Sequence, residues 1–77
     1  MSTRRFSVRS GADIGRTIAE ARLERGLTQA DLAKRTGIDR TYLARLEAGH
    51  STVQVDRILD LLGTLGVTVT ATLDVDA

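Results

Sequence analysis

Apolar residues recur at helical spacing through most of this chain and alternate strictly near its end. Ile14, Ile18 and Ala21 follow the i, i+4, i+7 pattern of a helix with one inward face. Ser10 stands where an N-cap is needed, and Asp13 falls in the first turn, where the helix dipole favours an anion. Gly26 suits the end of that run, which predicts a helix near 11–25. Thr28 and Asp31 form a second capping pattern, opening a short helix with Leu32 and Ala33 inward and Gly37 as its stop. Asp39 caps a third helix, with Leu43 and Leu46 inward and Gly49 at its end. A fourth begins between Thr52 and Val55 and runs to Gly66, with Ile58, Leu59, Leu62 and Leu65 as a strongly apolar face.

The period then changes from 3.6 to 2. Val67, Val69, Ala71 and Leu73 fall on one side of an extended run, with threonines on the other, which is the pattern of a half-buried strand. A lone strand leaves its N–H and C=O groups unpaired. Its partner is either the same strand of a second chain or the segment around Phe6 and Val8, which hints at a short strand of its own. Pairing across a two-fold homodimer through Val67, Val69, Ala71 and Leu73 is the favoured expectation. The organisation expected is an N-terminal arm over 1–9, a helical domain over 10–66, and a dimerisation strand with an acidic tail over 67–77.

Size adds weight to a partner chain. A domain of 77 residues buries only about 60% of the surface its unfolded chain exposes. There is no cysteine and only one histidine, so disulfides are excluded, and no metal or cofactor is expected. Charge is segregated: residues 1–52 hold ten basic and six acidic residues, a net of +4, whereas 53–77 hold one and four, a net of −3. Two aromatics, Phe6 and Tyr42, are too few for a single-strand stacking platform. No apolar run approaches the roughly 20 residues of a membrane span, and the start has no apolar segment of signal-peptide length. A cytoplasmic protein, associated with DNA and not with membrane, is the expectation. Nothing resembles a nucleophile–base pair, paired catalytic carboxylates or a phosphate loop, so neither an enzyme nor a small-molecule substrate is expected.

The stretch TQADLAKRTGIDRTYLARLEAG, residues 28–49, carries the most information. Two short helices meeting near a right angle need a small residue at their contact, here Ala33. Their turn needs a positive φ, which Gly37 adopts without strain. Ile38, Leu43 and Leu46 anchor the second helix. This is the helix-turn-helix arrangement, whose second helix enters the DNA major groove. The stretch resembles the Cro and phage-repressor class, the XRE family. The shared pattern is Thr-Gln at the start, a small residue four positions on, glycine four beyond that, and the ending Leu46-Glu47-Ala48-Gly49. The resemblance spans roughly 10–66 and implies a mostly α fold: a four- to five-helix DNA-binding domain followed by one C-terminal strand paired across a homodimer.

By that resemblance Arg40, Thr41 and Arg45 fall where the family reads base edges. Position agrees, because Asp39 as cap places 40 and 41 in the first turn and Arg45 one turn later on the same side. Arginine contacts guanine O6 and N7 bidentately, for about 1–3 kcal/mol of discrimination. Thr28 and Gln29 lie at a helix N-terminus, where amides and dipole attract phosphate. Tyr42 is a further phosphate candidate that could equally pack over the turn, and His50 is a weaker one. The resemblance also implies a partly buried structural ion pair between Arg22 and Glu47.

A Cro-like domain whose last helix runs directly into one short strand is similar to HipB-type antitoxins, which repress their own operon and bind a HipA-type serine/threonine kinase toxin. That likeness implies a homodimer on a palindromic double-stranded operator, with half-sites about 34 Å apart, and a HipA-like kinase as partner. The tail Asp74-Val75-Asp76-Ala77 departs from the pattern, having no aromatic residue to insert into a toxin. A solitary XRE-type regulator without a toxin is the alternative. A third reading is an interaction module that has lost DNA binding.

Overall fold

In the computed structural model, which describes residues 2–75, each helix begins at a side-chain cap. Helix α1 (Gly11–Glu24) is capped by Ser10, whose hydroxyl accepts from Asp13 N, while Arg9 N donates to Asp13 Oδ2 at 2.8 Å. Thr28 and Asp31 form a reciprocal capping box for α2 (Gln29–Thr36), satisfying two amides that a helix start would otherwise leave bare. Asp39 caps α3 (Arg40–Glu47) and Thr52 caps α4 (Val53–Thr64). Among the described residues there are four helices, and the expected starts are met at all four.

Strands β1 (Thr3–Ser7) and β2 (Thr70–Asp74) close an antiparallel pair within the chain. Thr3 lies opposite Asp74, Phe6 opposite Ala71 and Ser7 opposite Thr70, and Val8 N extends the ladder to Val69 O at 2.9 Å. The arm is therefore a strand, and β2 pairs within the chain with the segment around Phe6 and Val8, one of the two partners the sequence offered. The predicted alternation of β2 holds: Leu73 is buried, Val69 and Ala71 are half-buried, and Thr70 and Thr72 are exposed. Its apolar face is thus spent on this chain's own body, except for Val67, which precedes β2 and is exposed. Arg4 shares that inward face, escapes over the Phe6 ring and reaches Glu20 of α1 at 3.2 Å. Arg25 Nη2 donates to Asp74 O at 2.7 Å, tying the end of α1 to the sheet. Asp76 and Ala77 of the acidic tail lie outside the described residues.

The core is thin. Among the described residues Val8, Ala33, Leu43 and Leu73 are the buried apolar side chains, and none is completely enclosed. Helix α1 crosses α3 at Gly15, where an added Cβ would stand 1.8 Å from Leu46 O, so only glycine permits that approach. Asp56 Oδ1 accepts from Gly11 N at 2.8 Å, docking the first turn of α4 onto the start of α1. Two apolar expectations fail on α4. Leu59 and Leu62 face the body, but Ile58 and Leu65 are 52% and 75% exposed, because the apolar arc of this helix is wider than its contact with α1.

Candidate nucleic-acid interface

Helices α2 and α3 meet through a turn fixed by Gly37, which adopts φ 75° and donates its N–H to Ala33 O at 2.9 Å. Ala33 is buried at the contact, as a close approach requires. Leu43 anchors α3 at 3% exposure. Ile38, expected as an anchor, is instead 44% exposed and sits with Tyr42 at the rim of an apolar cleft floored by Ile18, Leu32, Leu43 and Leu46. The turn residue reaches the edge of the α1–α3 packing without entering it.

Asp39 Oδ1 accepts from Tyr42 N at 3.0 Å, which sets the start of α3. Arg40 and Thr41 follow in the first turn and Arg45 lies further along; all three are exposed. None of their side chains makes a hydrogen bond or ion pair with the described residues. Their donors are therefore free for an external acceptor. Tyr42 is 54% exposed and His50 is also at the surface, with its backbone N–H bonded to Arg45 O.

At the start of α2, Thr28 Oγ1 accepts from Asp31 N and Thr28 N donates to Asp31 Oδ2, both at 3.0 Å. The Thr28 N–H holds the Asp31 carboxyl below the ordinary carboxylate range, and the Thr28 hydroxyl adds to the lowering. The Gln29 and Ala30 N–H groups have no acceptor within the helix. The Gln29 side chain is directed elsewhere: its amide donates to Glu47 Oε1 at 3.1 Å.

Glu47 is the hub that orients the two helices. Arg22 Nε reaches Glu47 Oε2 at 2.8 Å and Nη2 reaches Oε1 at 2.9 Å, a bidentate pair with side chains 12% and 5% exposed. The third arm of the guanidinium, Nη1, donates to Leu27 O at 2.7 Å and pins the loop before α2. The Arg22 hydrogen bonds draw the Glu47 carboxyl below its ordinary pKa against the upward push of burial, and the Gln29 amide adds to the lowering. One carboxylate thus joins α1, the start of α2 and the end of α3. The Arg22–Glu47 contact is implied by the sequence resemblance; the inclusion of Gln29 and Leu27 is not. Two donors from different helices sharing one acceptor leave no signal in spacing. Among the described residues no group of acidic, histidine or cysteine side chains is arranged to hold a metal, and no helix is long and apolar enough to cross a membrane.

Comparison with known proteins agrees with this geometry. The model of the helix-turn-helix family HTH_3 matches residues 18–71, more than half of the chain. An uncharacterized HTH-type transcriptional regulator of Sinorhizobium fredii, y4mF, is 36% identical over 62 residues, covering 80% of this chain and 82% of the relative. A second from the same organism, y4dJ, is 37% identical over 54 residues, covering 70% of each. No solved structure matches the chain significantly. Capped α2, glycine turn and anchored α3 thus coincide with a family match across the same segment, and the chain belongs to the XRE-type helix-turn-helix family.

Proposed function

We propose that the chain is a sequence-specific transcriptional repressor that inserts α3 into the major groove of double-stranded DNA. Family membership and regulator relatives support a DNA-binding regulator and not an enzyme. The observation that carries the site assignment is the set of exposed, unengaged Arg40, Thr41 and Arg45 side chains on a helix held rigidly by Glu47. In this reading those three contact base edges. Phosphates are met at the start of α2 by the Thr28 hydroxyl and the Gln29 N–H, by the Tyr42 hydroxyl and by His50. With its side chain on Glu47, Gln29 contributes through its backbone.

The repressor acts as a homodimer on a palindromic operator, and as a HipB-like antitoxin it binds and restrains a HipA-like serine/threonine kinase. The passage from the last helix directly into a terminal strand is what supports the antitoxin reading. Tagged protein recovered from its native cells, with co-purifying proteins identified by mass spectrometry, tests it. A stoichiometric kinase supports the antitoxin; recovery of DNA and the protein alone leaves a solitary repressor and removes the toxin.

A further inference from the structure

The outward face of the sheet is built differently from its inward one. Alternation along β1 and its continuation turns Phe6 and Val8 to the body and leaves Arg5, Ser7 and Arg9 exposed. Alternate residues of an extended chain stand about 6.6 Å apart, within the reach of an arginine side chain. Both guanidinium groups can therefore converge on the Ser7 hydroxyl. None of the three side chains has a hydrogen-bond or ion-pair partner among the described residues. Ser10, the next serine, is by contrast half-buried and committed to capping α1. The backbone around Ser7 is open as well. Val8 N donates to Val69 O and Val75 N to Ser2 O, so the hydrogen-bonded pairs of the ladder are 2/75, 4/73, 6/71 and 8/69. The N–H and C=O groups of Thr3, Arg5 and Ser7 therefore point away from β2, along an edge that no other strand covers among the described residues.

We propose that Ser7 is a phosphorylation site, modified by a serine/threonine kinase whose substrate groove is acidic, and that Arg5 and Arg9 hold the phosphate once it is attached. The reaction transfers the γ-phosphoryl group of ATP. The Ser7 Oγ–P bond forms, the bond from that phosphorus to the bridging oxygen breaks, ADP leaves, and the hydroxyl proton passes to the kinase's carboxylate base. Three observations select this chemistry. First, the hydroxyl is exposed and unengaged on an edge strand, already in the extended form in which an enzyme can dock a peptide by its backbone. Second, Arg4 and Arg5 stand three and two residues ahead of it, a pair of guanidinium groups that carboxylates of a substrate groove bind bidentately. Arg4 is restrained by the Phe6 ring and the exposed pair with Glu20, contacts that are weak at a surface. Third, the product has a cradle. A phosphate of charge about −1.5 to −2 meets two unmatched guanidinium groups, and Thr70 directly opposite Ser7 adds a hydroxyl. Asp60 of α4 is the acid that faces them, across the groove lined by Ser7 and Arg9. The site stands on these residues and not on the kinase partner proposed above; only its consequence for DNA rests on the preceding section. Phosphorylation takes the arm, residues 1–9, from +3 to about +1, which weakens its pull on a polyanion.

Full-length protein from growing, stationary and starved native cells, read by intact mass and fragment spectra with and without phosphatase, is the first test. One phosphoryl group on Ser7 is expected in at least one state, and its absence from all three overturns the proposal. In vitro, an arginine-directed serine kinase with ATP should label wild type at Ser7 and leave Ser7→Ala unlabelled. The variant Arg4→Gln/Arg5→Gln should lower kcat/KM at least about 100-fold; labelling at the wild-type rate refutes the recognition. Phosphorus NMR then reads the cradle. The second pKa of the phosphoserine should lie below its ordinary value of about 6 and return towards it in Arg9→Gln, which lies outside the recognition pair. A value that Arg9→Gln leaves unmoved defeats the cradle. By fluorescence anisotropy the phosphorylated chain should bind DNA roughly 10-fold more weakly at low salt, with the gap closing as salt rises. Phosphate on Ser7 with neither form binding DNA upholds the site and defeats the DNA reading instead.

Discussion

Replacing Glu47 with alanine removes three hydrogen bonds at once, two from Arg22 and one from Gln29. Each bond to a charged group contributes about 1.5–3 kcal/mol net, and the three share one carboxylate, so their contributions do not add. Breaking a fully buried ion pair costs about 3–5 kcal/mol. This pair lies nearer the surface, and a freed guanidinium that starts 12% exposed can turn towards water, so a loss of about 2–3 kcal/mol is expected. For a domain of this size that lowers the melting temperature by roughly 10–20 °C. The sharper test is the double variant Arg22→Met/Glu47→Leu. It leaves no uncompensated charge and should melt above Glu47→Ala despite carrying two changes. Thermal unfolding followed by circular dichroism reads both. An unchanged melting temperature in Glu47→Ala, or a double variant less stable than the single, would refute the idea that the pair orients α1 and α3.

The same carboxylate sets the acid limit. Its folded pKa lies below the ordinary 4.5, so its contribution is complete above that value and is lost as pH falls through the folded pKa; melting temperatures of wild type should drop below about pH 4 more steeply than those of Glu47→Gln. Gly15→Ala gains about 1 kcal/mol of helix propensity but drives a methyl against Leu46 O, so net destabilisation of about 2 kcal/mol or more is expected by urea titration; a stabilised variant would contradict the close crossing. Arg40→Ala and Arg45→Ala should each weaken operator binding about 5- to 150-fold and relax preference at one base position, measured by fluorescence anisotropy, with melting temperatures unchanged because neither side chain has a partner among the described residues.

Local rules made the helices legible. Caps at Ser10, Thr28, Asp39 and Thr52 act within three residues of themselves, so the sequence alone marks where each helix starts. The alternation of Val69 to Leu73 likewise marks a strand and its inward face. What spacing does not encode is which surface closes over which. The arm reads as a few residues around Phe6, yet Thr3–Ser7 forms a full strand, because the ladder comes from β2, more than sixty positions away in the chain. The same limit explains Gln29: a first-turn polar residue reads as a phosphate ligand until Glu47 arrives from the end of another helix.

Helix α4 shows the limit most clearly. Hydrophobic periodicity reports that Ile58, Leu59, Leu62 and Leu65 avoid water, and it is silent on whether one chain or two provides the shelter. The fold answers for half of them, giving Leu59 and Leu62 to the body and leaving Ile58 and Leu65 outside with Leu61. The charge asymmetry then acquires a spatial meaning. The basic excess comes mainly from Arg4, Arg5 and Arg9 ahead of α1, whereas residues 11–52 add only +1 and α4 nets −1 from Asp56, Arg57 and Asp60. With so small a net charge on the helices, attraction of a polyanion to α3 depends on where Arg40 and Arg45 stand and not on the overall charge of the segment.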